Sequence, residues 1–208
     1  MSERSSEGLE QVYAARTREE LASAYSVWSN GYDAETAAGG YALPFLITSW
    51  VARHVPCDVG PILDAGCGTG LSGPYLRALG YQAIEGLDMS EEMLGLAAGR
   101  GVYRDLKRGV LGDALPWADD HFAAFLCTGV FTEGHAPASS LDELVRVTRS
   151  GGRAVFTVRD LVLDDFRATF ARIEQAGCWR LLEESPFFRA FAVAEPDVLV
   201  KAFVFDIL

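Results

Sequence analysis

Three short segments carry residues of the kind that hold a small polar ligand. The first reads ILDAGCGTG over Ile62–Gly70: Asp64 is followed by Gly66, Gly68 and Gly70, alternating with Cys67 and Thr69. Glycines there permit a tight turn and let a ligand approach the backbone closely. A helix predicted from Leu71 points its first N–H groups at this loop. A dinucleotide fold spaces its glycines as G-x-G-x-x-G to seat a pyrophosphate. The spacing G-x-G-x-G suits a smaller ligand without one. A glycine turn can equally be structural, so this loop alone identifies no ligand.

The second segment, GLDMS, holds Asp88, 18 residues beyond Gly70. An acidic side chain there accepts hydrogen bonds from ribose hydroxyls. The competing role is capping the next helix, but Ser90 is the better N-cap. Met89 either packs on an adenine face or fills the core. The third segment, GDALPW over 112–117, places Asp113 to accept from an adenine amino group, with the Ala114 N–H beside the ring. The alternative for Asp113 is an ordinary loop residue. Read together, the three segments offer a glycine cradle, a ribose acceptor and an adenine acceptor, in that order.

The elements that must position them alternate. Residues 9–29 show a loose helical pattern through Leu9, Val12, Tyr13, Leu21, Tyr25 and Trp28, which Asn30-Gly31 is expected to break. A second helix spans 43–55 and stops at Pro56. Strands follow at 61–66, 82–88, 107–112, 121–128 and 153–160. Helices fall between them at 71–79, from Ser90 to about 99, and at 138–149, with another at 163–176. Two late strands, roughly 179–189 and 197–207, form a hairpin-like pair at the sheet edge. Near-continuous apolar strands mean a parallel sheet covered on both faces, an α/β fold. Ligands in such folds bind at the carboxyl ends of the strands.

The order DAGCGTG, LDMS, GDALPW and a strand entering CTGVF resembles the class I S-adenosylmethionine-dependent methyltransferases across residues 60 to about 160. A narrower resemblance covers most of the chain. YSVWSNGYD (25–33), GVFTEGHAP (129–137), FTVR (156–159), IEQAGCW (173–179) and EPDVLVKAFVF (195–205) are similar to the Williams–Beuren syndrome region methyltransferase-like family. The resemblance implies S-adenosylmethionine as cofactor and a Rossmann-like, seven-stranded, mostly parallel sheet with an antiparallel seventh strand. The expected organisation is a disordered tail at 1–8, read from its polar composition, then an N-terminal helical lid over 9–56 and the cofactor-binding domain at 57–208. The resemblance leaves the methyl acceptor open. One departure is Ala123 after Phe122, where the family often has Asp; the expectation is a structural loss.

Within that frame Tyr25 and Tyr32 are expected at the cofactor or acceptor, and Trp28 as an anchor of its helix. Thr128, Gly129 and Val130 are expected at the methionine end of the cofactor. Thr132, Glu133 and His135 follow on the acceptor side. His135 is the first candidate for a general base, because imidazole titrates near pH 6.5; the alternative is a loop histidine bonded to nearby backbone. Tyr32 is the second candidate at the reacting centre. Asp33 holds the cofactor amine or a substrate, or caps a turn. Arg159 grips an acidic substrate or forms an ion pair. His54 and His121 are expected at the surface, and Cys127 as strand filling.

Composition narrows the partners. Half of the 208 residues are apolar and the net charge is −11. An anionic chain repels a phosphate backbone, which argues against nucleic acid and for a small-molecule acceptor. The basic cluster Arg100, Arg104, Lys107 and Arg108 reads as a solvated helix end. No apolar run approaches the ~20 residues of a membrane span, and MSERSSEGLE lacks the features of a signal peptide. Four scattered cysteines and three histidines suggest neither a disulfide frame nor a metal site. The expectation is a cytoplasmic monomer or homodimer. Methyl transfer to nitrogen, oxygen or carbon leads. A cofactor-steered cyclisation or rearrangement, and a cofactor-binding partner protein without chemistry, are the alternatives.

Overall fold

A computed structural model describes residues 7–208, apart from the side chains of residues 7, 9, 13 and 18. Residues 1–6 of the expected tail lie outside the described residues. Residues 7 and 8 open α1. The elements are α1 (Glu7–Ala14), α2 (Arg18–Ala38), α3 (Leu43–His54), β1 (Ile62–Ala65), α4 (Ser72–Ala78), β2 (Ile84–Asp88), α5 (Glu91–Gly99) and β3 (Asp105–Arg108). They continue with β4 (Phe122–Phe131), α6 (Ser140–Arg146), β5 (Thr148–Arg159), α7 (Leu163–Gln175), β6 (Trp179–Glu184), β7 (Phe188–Arg189) and β8 (Leu199–Ile207).

The strands lie in the order β3-β2-β1-β4-β5-β8-β6, with β7 paired to β8. β1 to β5 run parallel, and β8 is antiparallel to both β5 and β6. This is the expected α/β sheet with one added two-residue strand. The late stretch 179–189 divides into β6 and β7 around Pro186, which has no N–H to give to a ladder. The winding reverses between β1 and β4, so their carboxyl ends form the switch point where ligands bind.

Side chains alternate across the sheet with period two. Leu63, Phe125, Phe156 and Phe205 face α6 and α7. Ile62, Leu126, Val155 and Val204 face α3 and α4. Ile47 and Val51 bring α3 into that second layer, so this helix packs on the sheet itself. Ala123 sits at the amino end of β4, away from the ligand-binding end, and its amide donates to Pro61.

Asn30-Gly31 does not break the helix: α2 runs through it. A glycine costs a helix about 1 kcal/mol, and burial of Leu21, Ala24 and Trp28 against Val12 outweighs that. The break lies instead at 15–17. Thr17 Oγ1 accepts from the Glu20 amide at 3.1 Å, and the Glu20 carboxylate accepts from the Arg16 amide at 2.7 Å. This is a reciprocal capping arrangement that starts a new helix. Neither histidine expected at the surface is free of the fold: His54 meets Glu183 at 2.8 Å and His121 meets Glu85 at 3.2 Å. The basic cluster is ion-paired, Arg100 to Asp33, Arg104 to Glu85, Lys107 to Asp105 and Arg108 to Glu91. Among the described residues no helix is long and apolar enough to cross a membrane.

Candidate functional site

The loop after β1 is shaped by three glycines with three different reasons. All have positive φ: 72° at Gly66, 54° at Gly68 and 79° at Gly70. A Cβ on Gly66 would lie 2.5 Å from Val130 Cγ2, and one on Gly70 would lie 3.1 Å from Ala97 Cα. A Cβ on Gly68 would meet nothing within 4 Å, so this glycine fronts open space. The amides of Gly66 and Cys67 donate to the Leu87 carbonyl at 2.8 and 2.9 Å, tying the loop to the end of β2. Asp88 completes the tie: one carboxylate oxygen accepts from the Gly68 amide at 2.8 Å, the other from the Ser90 amide at 3.0 Å. Ser90 caps α5, its hydroxyl accepting from the Met93 amide at 3.2 Å. Burial raises the Asp88 pKa while these N–H donors oppose the rise.

Above this floor lies a chamber of about 110 Å³. Its walls include Gly66, Gly68, Asp88, Met89, Thr128 and Gly129, and α2 closes it with Leu21, Tyr25 and Tyr32. Met89 also packs against the α1–α2 cluster, the packing alternative of its two expected roles. Asp113 and Ala114 are exposed and stand outside the lining; Gly109, Val110 and Leu111 wall that side instead. The chain turns back at Val110, whose carbonyl accepts from Asp113 N, and the Leu115 amide is drawn to the Glu143 carboxylate at 2.8 Å.

A recess adjoins the chamber, shared through Gly66, Gly68, Tyr32 and Thr128 and adding Asp64, Cys67, Thr69, Ser72 and Tyr41. The Thr128 hydroxyl oxygen is buried there with no partner among the described residues. Asp64 is buried and accepts from the Tyr103 hydroxyl at 2.6 Å. Burial pushes its pKa up to about 7. Among the described residues no lysine or arginine lines either space.

On the far side of Tyr25 and Tyr32 lies a second chamber of about 70 Å³ whose lining includes Trp28, Tyr41, Gly129, His135, Arg159 and Phe191. Tyr25, Trp28 and Tyr32 share one face of α2, with Trp28 and Tyr32 ring centroids 4.7 Å apart. Trp28 anchors the helix: it is buried and its indole N–H donates to Glu35 at 2.7 Å. His135 Nδ1 lies 2.9 Å from the Glu133 carbonyl, which can only accept, so Nδ1 carries the proton. Nε2 therefore accepts from the Tyr25 hydroxyl at 2.9 Å. Burial lowers the His135 pKa, keeping the ring neutral. Arg159 meets Glu133 at 3.0 Å, the ion-pair alternative.

Asp33 turns from the chamber to a fastening. It accepts from the Thr69 hydroxyl at 2.6 Å and pairs with Arg100, whose Nε donates to the Thr69 carbonyl. Tyr103 and Tyr41 escaped the sequence reading, and Arg100 was read only as part of a solvated helix end. They lie in no motif, and only tertiary packing brings them to the site.

A family described as a methyltransferase domain matches residues 63–156. Methyltransferase-like protein 27 of Homo sapiens is 35% identical over 176 residues, covering 79% of this chain and 70% of that protein. The 18S rRNA (guanine-N(7))-methyltransferase of Bos taurus is 35% identical over 135 residues, 59% of this chain and 45% of its own length. A TehB-like SAM-dependent methyltransferase from Corynebacterium glutamicum superposes with a TM-score of 0.67 at 21% identity, covering 89% of this chain and 99% of that one. The rRNA enzyme overturns the exclusion of nucleic acid drawn from net charge, and with it a partner limited to small molecules. Charge summed over a molecule sets long-range attraction; it does not decide what a particular cleft accepts.

Proposed function

The chain belongs to the class I S-adenosylmethionine-dependent methyltransferases, and on that premise we propose that it methylates a nucleophile seated in the second chamber, with His135 as general base. The observation that carries this reading is the Tyr25–His135 hydrogen bond at 2.9 Å, made by two residues that line both chambers.

The residues present fit the cofactor. Asp88 keeps lone pairs for the ribose hydroxyls beyond the two amides it holds. Gly68 leaves open the space a side chain would fill. The partnerless Thr128 hydroxyl and the buried Asp64 supply polar contacts for the amino-acid end. Met89 and Leu111 suit an adenine face, and Asp113 is proposed as its acceptor from beyond the lining, reached by a local loop movement. When bound, S-adenosylmethionine supplies a methyl group on a sulfonium, a cofactor-borne electrophile that needs placement more than activation. Leu21, Tyr25 and Tyr32 exclude water from above. Tyr32 orients the acceptor beside the reacting centre. Neutral His135 takes the acceptor's proton at Nε2, directly or through the Tyr25 oxygen, and a base is required when the nucleophile is a hydroxyl or an ammonium.

The confined second chamber supports a compact acceptor group, as a small molecule presents. The likeness to an rRNA methyltransferase favours a second reading, in which a single unstacked RNA base presents the same group. Incubation with methyl-labelled S-adenosylmethionine, once with a metabolite extract and once with total RNA, separates the two by the fraction that gains label. His135→Gln is expected to lower that labelling by about 10²- to 10⁴-fold with cofactor affinity retained. Undiminished labelling by the variant would remove His135 from the mechanism.

A further inference from the structure

The second chamber is apolar over most of its wall and charged at one point. Leu43, Phe131, Phe191 and Val198 line it together with the rings of Tyr25 and Trp28. Among the described residues Arg159 is the one formally charged side chain in that lining. Strand register puts it there. Arg159 stands two residues beyond Thr157 on β5, so both project from the same face, and it lies opposite Val200 on β8. All three line the chamber. The Arg159 side chain is 15% exposed, whereas that of Glu133, which meets it at 3.0 Å, is 50% exposed. A poorly solvated guanidinium couples to an anion far more strongly than one in water. Glu133 answers it from a turn, where water competes for the carboxylate. The same charge reaches the candidate base: after burial, Arg159 lowers the His135 pKa further. A planar guanidinium matches the two oxygens of a carboxylate. The apolar remainder of the wall suits an organic body better than a sugar–phosphate chain, whose hydroxyls and neighbouring phosphates hold water.

We propose that the methyl acceptor is a compact organic acid, whose apolar or aromatic body fills the second chamber and whose carboxylate replaces Glu133 on Arg159. The inference rests on the reading of this chamber as the acceptor site. The carboxylate is the handle. The nucleophile is a separate group of the same molecule, turned toward the Tyr25–His135 pair. Its lone pair forms the bond to the methyl carbon, the S–C electron pair stays on sulfur, and the proton lost by a hydroxyl or ammonium goes to His135.

Benzoate and its neutral isostere benzamide test the charge. Each is titrated into the full chain in the presence of S-adenosylhomocysteine and followed by proton–nitrogen NMR. The expected dissociation constant for benzoate is about tenfold below that for benzamide, with amide shifts at Gly129 and His135. Arg159→Gln is expected to cut that margin to about twofold or less. Glu133→Gln removes the competing carboxylate and is expected to widen it. Equal affinities in the unmodified protein, binding of neither probe at millimolar concentration included, or a margin that survives Arg159→Gln, would overturn the proposal. The first of these needs no variant, so it decides even if Arg159→Gln fails to fold. In a transfer arm, a metabolite extract is separated by anion exchange at neutral pH before incubation with methyl-labelled S-adenosylmethionine. Label is expected in a retained carboxylic acid, identified by mass spectrometry, and is expected to fall with Arg159→Gln. Label confined to the unretained fraction, to RNA or to a nucleotide retained through its phosphate overturns the proposal. A benzoate margin with no labelled product in any fraction would instead sink the methyl-transfer reading itself.

Discussion

The buried Asp64 carboxylate should cost the ligand-free fold stability, and Asp64→Asn measures how much. Asp64 is held at a pKa of about 7 against an ordinary 3.8, mainly by burial. The folded state therefore binds its proton more tightly than the unfolded chain does. Stability from this group is complete below pH 3.8 and is lost as pH rises through about 7. The gap corresponds to about 4 kcal/mol at full ionisation, an upper value because a cleft wall relaxes and admits water. Asparagine carries no charge and keeps an acceptor for the Tyr103 hydroxyl. The variant's advantage in melting temperature should thus be small at pH 4, grow between pH 4 and 7, and level off above. For a chain of this length each 1 kcal/mol is worth roughly 2–4 °C, so the plateau should reach several degrees. The assay is thermal unfolding followed by circular dichroism, both proteins in parallel and without ligand. Subtracting one curve from the other removes the titration of every other carboxylate. A difference independent of pH, or an advantage that shrinks as pH rises, would refute the claim that Asp64 is a poorly answered buried charge.

Gly66→Ala forces a side chain into positive φ and 2.5 Å from Val130 Cγ2. It should destabilise by about 2–4 kcal/mol in denaturant titration and weaken cofactor binding. Asp33→Ala releases Thr69 and Arg100 from α2 and should speed S-adenosylhomocysteine dissociation several-fold in stopped-flow displacement, with little change in melting temperature. His135, lowered in pKa by burial, should titrate below pH 6.5 in nitrogen-15 NMR, with its proton on Nδ1 at neutral pH.

The parts of the site that a sequence displays are those built from neighbours along the chain. Gly66, Gly68 and Gly70 follow an apolar strand directly, and Asp88 and Ser90 do the same, so the loop, the place of the Asp88 carboxylate beside it and the Ser90 helix cap were all legible. Boundaries that depend on competition were not. Asn30-Gly31 is a turn signal locally, but the buried face of α2 carries the helix across it, while the true break at 15–17 lay in the Thr17–Glu20 cap. Asp113 sits in a suitable place by spacing alone, yet the chain turns back at Val110 and leaves Gly109–Leu111 at the wall with Asp113 outside it. Pairings across the fold leave no local trace. Tyr25 meets His135 110 residues away, and Asp33 meets Arg100 67 residues away. Net charge misled most, because a sum over the chain sets long-range attraction and not what a particular cleft accepts.

The most direct test of the account is a proton–nitrogen NMR titration of the full chain with S-adenosylhomocysteine. The cofactor site predicts the largest amide shifts at Gly66, Gly68, Met89, Thr128 and Gly129, with smaller ones along the Leu21–Tyr32 face of α2. Saturation without movement of those amides, or shifts centred elsewhere on the fold, would contradict it.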